Sequence, residues 1–191
     1  MKKRVGILGG SFDPVHCGHV RIAKSFLKSG LIDELLIVLS PHPPHKQDQK
    51  QADFSHRFKM LKLAFHDMKN VTISDLERNL NKPSYTIQTI DYLQSEHPNT
   101  LFYLCVGEDS LRHFDQWHKY REILQKVDLL VAERPGFDQT DVDEEILEHA
   151  VFVEHHPYSI SSTSVREAGG IVKEDLPNAV ADYIEQNNLY R

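Results

Sequence analysis

Short, unbroken apolar runs recur along this chain, and helical patterns separate them. The runs are Val5 to Leu8, Leu35 to Leu39, Val71 to Ile73, Leu101 to Val106 and Val127 to Ala132, with a shorter one at Ala150 to Glu154. Strands that are apolar at consecutive rather than alternate positions belong to a sheet covered on both faces. Helical spacing fills the gaps. Val20, Ile22, Ala23, Phe26 and Leu27 mark a first helix that Gly30 stops. Phe54, Phe58, Leu61, Leu63, Ala64 and Phe65 mark a second, and Ile87, Ile90, Tyr92 and Leu93 a third. The stretch from Leu176-Pro177 to Arg191 reads as a closing helix carrying Val180, Tyr183 and Ile184. This alternation predicts an α/β fold: a parallel sheet, right-handed crossovers and helices on both faces. With no internal repeat and no dividing linker, residues 1–191 are expected to form a single domain.

Composition removes several classes of function. With 22 Lys and Arg against 28 Asp and Glu the net charge is −6, the wrong sign for coating a phosphate backbone. No apolar run approaches the roughly 18–20 residues that cross a bilayer. The basic opening Met1-Lys2-Lys3-Arg4 imitates a secretion signal, but its apolar core stops at Leu8, short of the ~7–15 residues required. Two cysteines, Cys17 and Cys105, make no disulfide framework. The expectation is a cytoplasmic enzyme or binding domain with no nucleic-acid partner and no membrane, a homo-oligomer being left open.

The chemistry concentrates after the first strand, in Gly9-Gly10-Ser11-Phe12-Asp13-Pro14-Val15-His16-Cys17-Gly18-His19. Glycines let backbone N–H groups approach a ligand, and the helix that follows favours anions at its start. His16 and His19 share one helical face, and Gly18 between them leaves room for an approaching ligand. Imidazoles facing a phosphate-sized gap stabilise charge developing on a phosphoryl group. The same residues also fit a plain strand-to-helix connection with two exposed histidines. A metal site needs more ligands than this pair offers. The glycines do not give G-x-G-x-x-G. Two polar loops, Ser40 to Gln51 and Glu133 to Asp141, fall at strand ends, where open α/β sheets bind ligands.

G-G-S-F-D-P-x-H-x-G-H resembles the signature of the H-x-G-H nucleotidyltransferases, whose fold is Rossmann-like. The family's second element, S-x-T-x-x-R or a variant, is matched by Ser161-Ser162-Thr163-Ser164-Val165-Arg166, where serine and threonine would also cap a helix. Pro43-Pro44-His45-Lys46, Pro83-Ser84-Tyr85-Thr86, Gly107-Glu108-Asp109-Ser110, Trp117 and Arg134-Pro135-Gly136 follow in an order that resembles the bacterial nicotinate-nucleotide adenylyltransferases over nearly the whole chain. One stretch departs: Ser40-Pro41-His42 stands where members often carry asparagine, and serine lacks the amide's paired donor and acceptor.

The resemblance implies transfer of the adenylyl group of ATP to nicotinate mononucleotide, giving deamido-NAD and pyrophosphate. It places ATP on Gly9, Gly10, Ser11, Phe12, His16, His19, Gly107, Asp109, Ser162, Thr163 and Arg166, with His16, His19 and Arg166 carrying the catalysis. It places the mononucleotide on Lys46, Tyr85, Thr86, Trp117 and Arg134. Mg²⁺ would come with the ATP phosphates, and no protein ligand to it is assigned. Each residue has a plainer reading: Lys46 as a solvated lysine, Trp117 as partial core, Asp109 as a helix cap, Phe12 as packing. The rivals are the same chemistry on nicotinamide mononucleotide or phosphopantetheine, and a nucleotide-binding module without turnover. His149, His155 and His156 read as surface or loop residues.

Overall fold

The computed structural model describes residues 2–43, 51–133, 138–156, 158–170 and 173–191. Its six strands are β1 (Lys3–Gly10), β2 (Glu34–Leu39), β3 (Val71–Ser74), β4 (Thr100–Gly107), β5 (Asp128–Glu133) and β6 (Ala150–Glu154). All pair in parallel in the order β3-β2-β1-β4-β5-β6, as expected from the alternating pattern. The order reverses between β1 and β4, the switch point where such sheets open a crevice at their carboxyl ends. The helices are α1 (Cys17–Lys28), α2 (Phe54–Ala64), α3 (Thr86–Glu96), α4 (Glu108–Arg112), α5 (Tyr120–Leu124), α6 (Glu144–Glu148), α7 (Ser162–Glu167) and α8 (Asn178–Gln186). No described helix is long and apolar enough to cross a membrane.

The unbroken apolar strands divide between two cores. Leu35, Ile37, Leu39, Cys105, Leu130 and Ala132 pack with Phe26 of α1, Met60 and Leu61 of α2, Val165 of α7 and Ile184 of α8. Their neighbours Val38, Leu104, Val106, Leu129 and Val131 pack with Ile87, Ile90 and Leu93 of α3, Leu111 of α4, Ile123 of α5 and Ile146 of α6. Period-two alternation therefore exists inside each run, but both faces are apolar because both are covered.

Three sequence expectations shift. The buried stripe of α2 is Arg57, Met60 and Leu61, and Phe54 and Phe58 lie at its margin because the Arg57 guanidinium is turned inward. Tyr92 is 43% exposed, lying off the face that Ile87, Ile90 and Leu93 share. His155 is buried, with its Nδ1 3.1 Å from the Ser25 hydroxyl between β6 and α1, and so is no surface residue.

Candidate active site

β1 delivers its last two glycines to the carboxyl edge of the sheet. A Cβ added at Gly9 would meet nothing within 4 Å, so no internal packing requires this glycine and its exposed backbone is open to a ligand. A Cβ at Gly10 would lie 3.0 Å from the Phe12 ring. That ring is buried and meets His19 edge-on at 5.0 Å, so Phe12 can offer a ligand only its main chain. The chain turns there with Phe12 at φ +44°.

His16 is the N-cap of α1 and His19 stands in its first turn. Their rings lie 3.7 Å apart, tilted by 32°. The His16 N–H donates to His19 Nδ1 at 3.2 Å, so a neutral His19 carries its proton on Nε2. Burial pushes the His16 imidazole down to about 4, which keeps it neutral at physiological pH, and its Nδ1 is buried without a hydrogen-bond partner among the described residues. The role expected for Gly18 changes: a Cβ there would sit 3.0 Å from the His16 ring and 3.3 Å from Ile160, so its bareness seats His16 rather than clearing a path for ligand.

The second motif folds onto the first. Ser161 caps α7 by accepting from the Ser164 N–H at 3.0 Å. Ser162, the first helical residue, donates its hydroxyl to the Pro14 carbonyl at 3.0 Å, across 148 residues of sequence. Arg166 donates to the Asp13 carbonyl at 2.7 Å and to Thr163 Oγ1 at 3.2 Å, and remains 3.9 Å from the Asp13 carboxylate. Capping and the joining of the two motifs are thus done by different hydroxyls of one serine run.

Two contributors had no role assigned from sequence, although Asp13 lies within the signature itself. Arg57, 2% exposed, donates to the carbonyls of Ala52, Ser11 and Ser40 at 2.8–3.0 Å and fastens the signature loop to the end of β2. Its signal was a charge at the helical spacing of Phe54, Phe58 and Leu61. Asp13 is buried; one carboxylate oxygen accepts from the Ala52 N–H at 3.1 Å and the Tyr190 hydroxyl at 2.7 Å. Nothing in the local pattern announces the Tyr190 bond to Asp13.

A second group forms around α3. Thr86 opens that helix, with Tyr85 as its N-cap. The Tyr85 N–H is spent on the Pro83 carbonyl at 3.0 Å, so of the two amides expected to receive a carboxylate, only that of Thr86 stands outside both this turn and the helical ladder. The Tyr85 ring stacks on His118 at 4.1 Å, next to Trp117. Trp117 is half-buried against Phe114 at 5.0 Å, so it is partial core and partly accessible at once. Gly107 caps α4, which removes the helix-cap explanation for Asp109, an exposed residue of that helix's first turn. Ser40, the departure from the family pattern, donates its N–H to Gly10 and accepts from Arg57 through main-chain atoms that any residue would supply. Lys46 and Arg134 lie outside the described residues.

A parallel sheet with a glycine-led loop, paired imidazoles and an arginine at one switch-point edge defines the class: a nucleotide-handling α/β transferase. Residues 7–168 match the cytidylyltransferase-like family model, and the chain belongs to that family. It is 37% identical to a probable nicotinate-nucleotide adenylyltransferase of Endomicrobium trichonymphae, over 98% of this chain and 99% of that one. It is 32% identical to the nicotinate-nucleotide adenylyltransferase of Bacillus subtilis, over 98% of both chains. A solved Plasmodium falciparum nicotinic acid mononucleotide adenylyltransferase, complexed with NaAD, superposes with a TM-score of 0.82 at 23% identity, over 98% of this chain and 97% of that one. Within its family the chain groups with the nicotinate-nucleotide adenylyltransferases of NAD biosynthesis.

Proposed function

We propose that this site transfers the adenylyl group of ATP to nicotinate mononucleotide by the following division of labour. A phosphate oxygen of the mononucleotide attacks the α-phosphorus of ATP, the bond to the bridging β-oxygen breaks, and pyrophosphate leaves with that electron pair. A phosphate monoester with a second pKa of about 6 is already largely dianionic at pH 7, so the step needs no general base. Catalysis comes from positioning and from charge stabilisation. Neutral His16, and His19 beside it, bond the α-phosphate oxygens as charge shifts there. The backbone of Gly9, Gly10, Ser11 and Phe12 seats the triphosphate, and Ser162, Thr163 and Arg166 hold its β- and γ-phosphates. Gly107 and Asp109, at the end of β4, border the nucleoside.

The observation that carries this reading is the union of the two motifs. Ser162 and Arg166 are bonded to the main chain of the very loop that ends in His16 and His19. Among the described residues no group of three or more His, Cys, Asp or Glu gathers as a metal cradle. Mg²⁺ would come with the ATP phosphates, with water as its remaining ligands. On the acceptor side, the start of α3 at Thr86 receives the nicotinate carboxylate. Trp117, with Tyr85 beside it, lies against the pyridinium ring. Lys46 and Arg134 complete this side. Every residue named comes from one chain, and the setting is the cytoplasm. The test is pyrophosphate release from ATP with nicotinate mononucleotide, nicotinamide mononucleotide or phosphopantetheine in turn. Release with the first above all supports the reading, and release with another alone overturns it.

A further inference from the structure

The segment that follows α7 is shaped to return to the signature loop. Gly170 turns at φ +75°, and a Cβ there would lie 2.7 Å from Ile184 Cγ2 of α8. Beyond α8, Asn188 and Tyr190 both take positive φ, +51° and +66°, which residues with a Cβ rarely adopt. The result is that the Tyr190 ring packs against the α1–α2–α8 core and its hydroxyl reaches Asp13, 177 residues away.

What the hydroxyl meets is unusual. The Asp13 carboxylate is 3% exposed, lies 3.9 Å from the Arg166 guanidinium and also acts electrostatically on Arg57. A buried carboxylate beside an arginine ordinarily closes into a short pair. Here Arg166 Nη1 stops 3.9 Å from Oδ2 and bonds the Asp13 carbonyl instead, at 2.7 Å. The other oxygen, Oδ1, is taken by the Ala52 N–H and by Tyr190. Burial and the neighbouring carboxylate push the phenol pKa up, so the hydroxyl remains a donor. Two cations act on the Asp13 carboxylate, and Arg57 also has the Asp53 carboxylate as a partner.

We propose that Tyr190 is a positioning residue for the leaving-group arginine: its hydroxyl satisfies the Asp13 carboxylate from behind and keeps that carboxylate from closing on Arg166, whose charge stays available to the departing phosphates. The proposal rests on the assignment of Arg166 to the β- and γ-phosphates. Without the hydroxyl, Oδ1 keeps only the Ala52 N–H, and the carboxylate is free to turn and bring an oxygen onto Arg166 Nη1, drawing it inward.

The variant is Tyr190→Phe, which keeps the packed ring and removes one oxygen. Its kcat/KM for ATP should fall about 10-fold, the scale of one hydrogen bond to a charged group. KM for nicotinate mononucleotide should not move, and the melting temperature should change by no more than ~2–4 °C. The deciding measurement is a double-mutant cycle. In an Arg166→Ala background, Tyr190→Phe should cost almost nothing further, because the residue it positions is gone. Additive losses would show that Tyr190 only stabilises the fold and would overturn the proposal, as would an unchanged kcat/KM for ATP in the single variant. Failure of the underlying reading looks different: the wild-type protein would release no pyrophosphate with nicotinate mononucleotide, or Arg166→Ala alone would leave kcat/KM for ATP intact.

Discussion

The signature loop, proposed to hold the phosphates, and the start of α3, proposed to hold the acceptor, are built by opposite means. Around the signature loop, Asp13, His16 and Arg57 are each less than 9% exposed, and main-chain carbonyls of Ser11, Asp13 and Pro14 are all bonded to side chains from elsewhere. Around α3, Tyr85, Thr86 and Trp117 are half-buried, and rings meet rings. The first arrangement holds its groups by burial and by bonds to fixed main-chain atoms; the second leaves ring faces partly open. The difference follows the chemistry. Charge that develops during a reaction is stabilised by groups already in place, whereas a flat ring is held by an aromatic face that tolerates sliding.

The sharpest way to break this comparison is His19→Ala. If the imidazoles act on charge that appears during reaction, kcat should fall about 10²–10³-fold while ATP still binds. Steady-state kinetics alongside a nucleotide-binding titration would check this, and a near-normal kcat would remove the mechanism. Next in size is the choice of acceptor. If the start of α3 reads a carboxylate, nicotinate mononucleotide should exceed the amide form by about 10²-fold or more in kcat/KM. Equal values would mean that the acceptor end does not read the carboxylate.

Trp117→Ala should raise KM for the mononucleotide by the equivalent of ~1–3 kcal/mol, by analogy with base stacking, and leave KM for ATP alone. Poor folding with both KM values normal would return Trp117 to the core. The smallest effect is on stability. The His16 pKa lies near 4 in the folded chain against 6.5 in its absence. The unfolded chain therefore takes up a proton first as pH falls, and stability present above pH 6.5 is lost progressively down to about pH 4. Between pH 6.5 and 5.5 the loss should be about 1 kcal/mol. Denaturant unfolding of the wild type and of His16→Gln should show this slope in the first and not the second.

Legibility in the sequence divides along the same line, though not completely. All six strands and the three long helices before residue 100 are visible in runs and spacing, because apolar patterns are local. The short helices α4, α5 and α6, five residues each, carry too few turns to show a period. His16, His19 and Arg166 stand in contiguous motifs. Arg57 could be glimpsed only as a charge on an apolar face, and Tyr190 only as part of an ending, Leu189-Tyr190, that resembles the family's, its bond to Asp13 being out of reach because the partner lies 177 residues away. The role of Gly18 was misassigned because spacing shows that a side chain is absent, not which neighbour fills the space.

Gly6 lies at mid-sheet, paired with Leu35 of β2 and Tyr103 of β4. A Cβ there would come within 2.7 Å of Cys105 Sγ, 2.8 Å of Ile32 and 3.1 Å of Leu35, all side chains of the layer that covers this face. The spacing of the strands belongs to the main-chain ladder; what one missing methyl sets is how closely that layer seats on β1. Since β1 runs on into the loop that carries the imidazoles, a methyl at Gly6 would shift that loop against the packing beneath it, and on the proposed assignment a misplacement of about an ångström costs on the order of 10²-fold in rate.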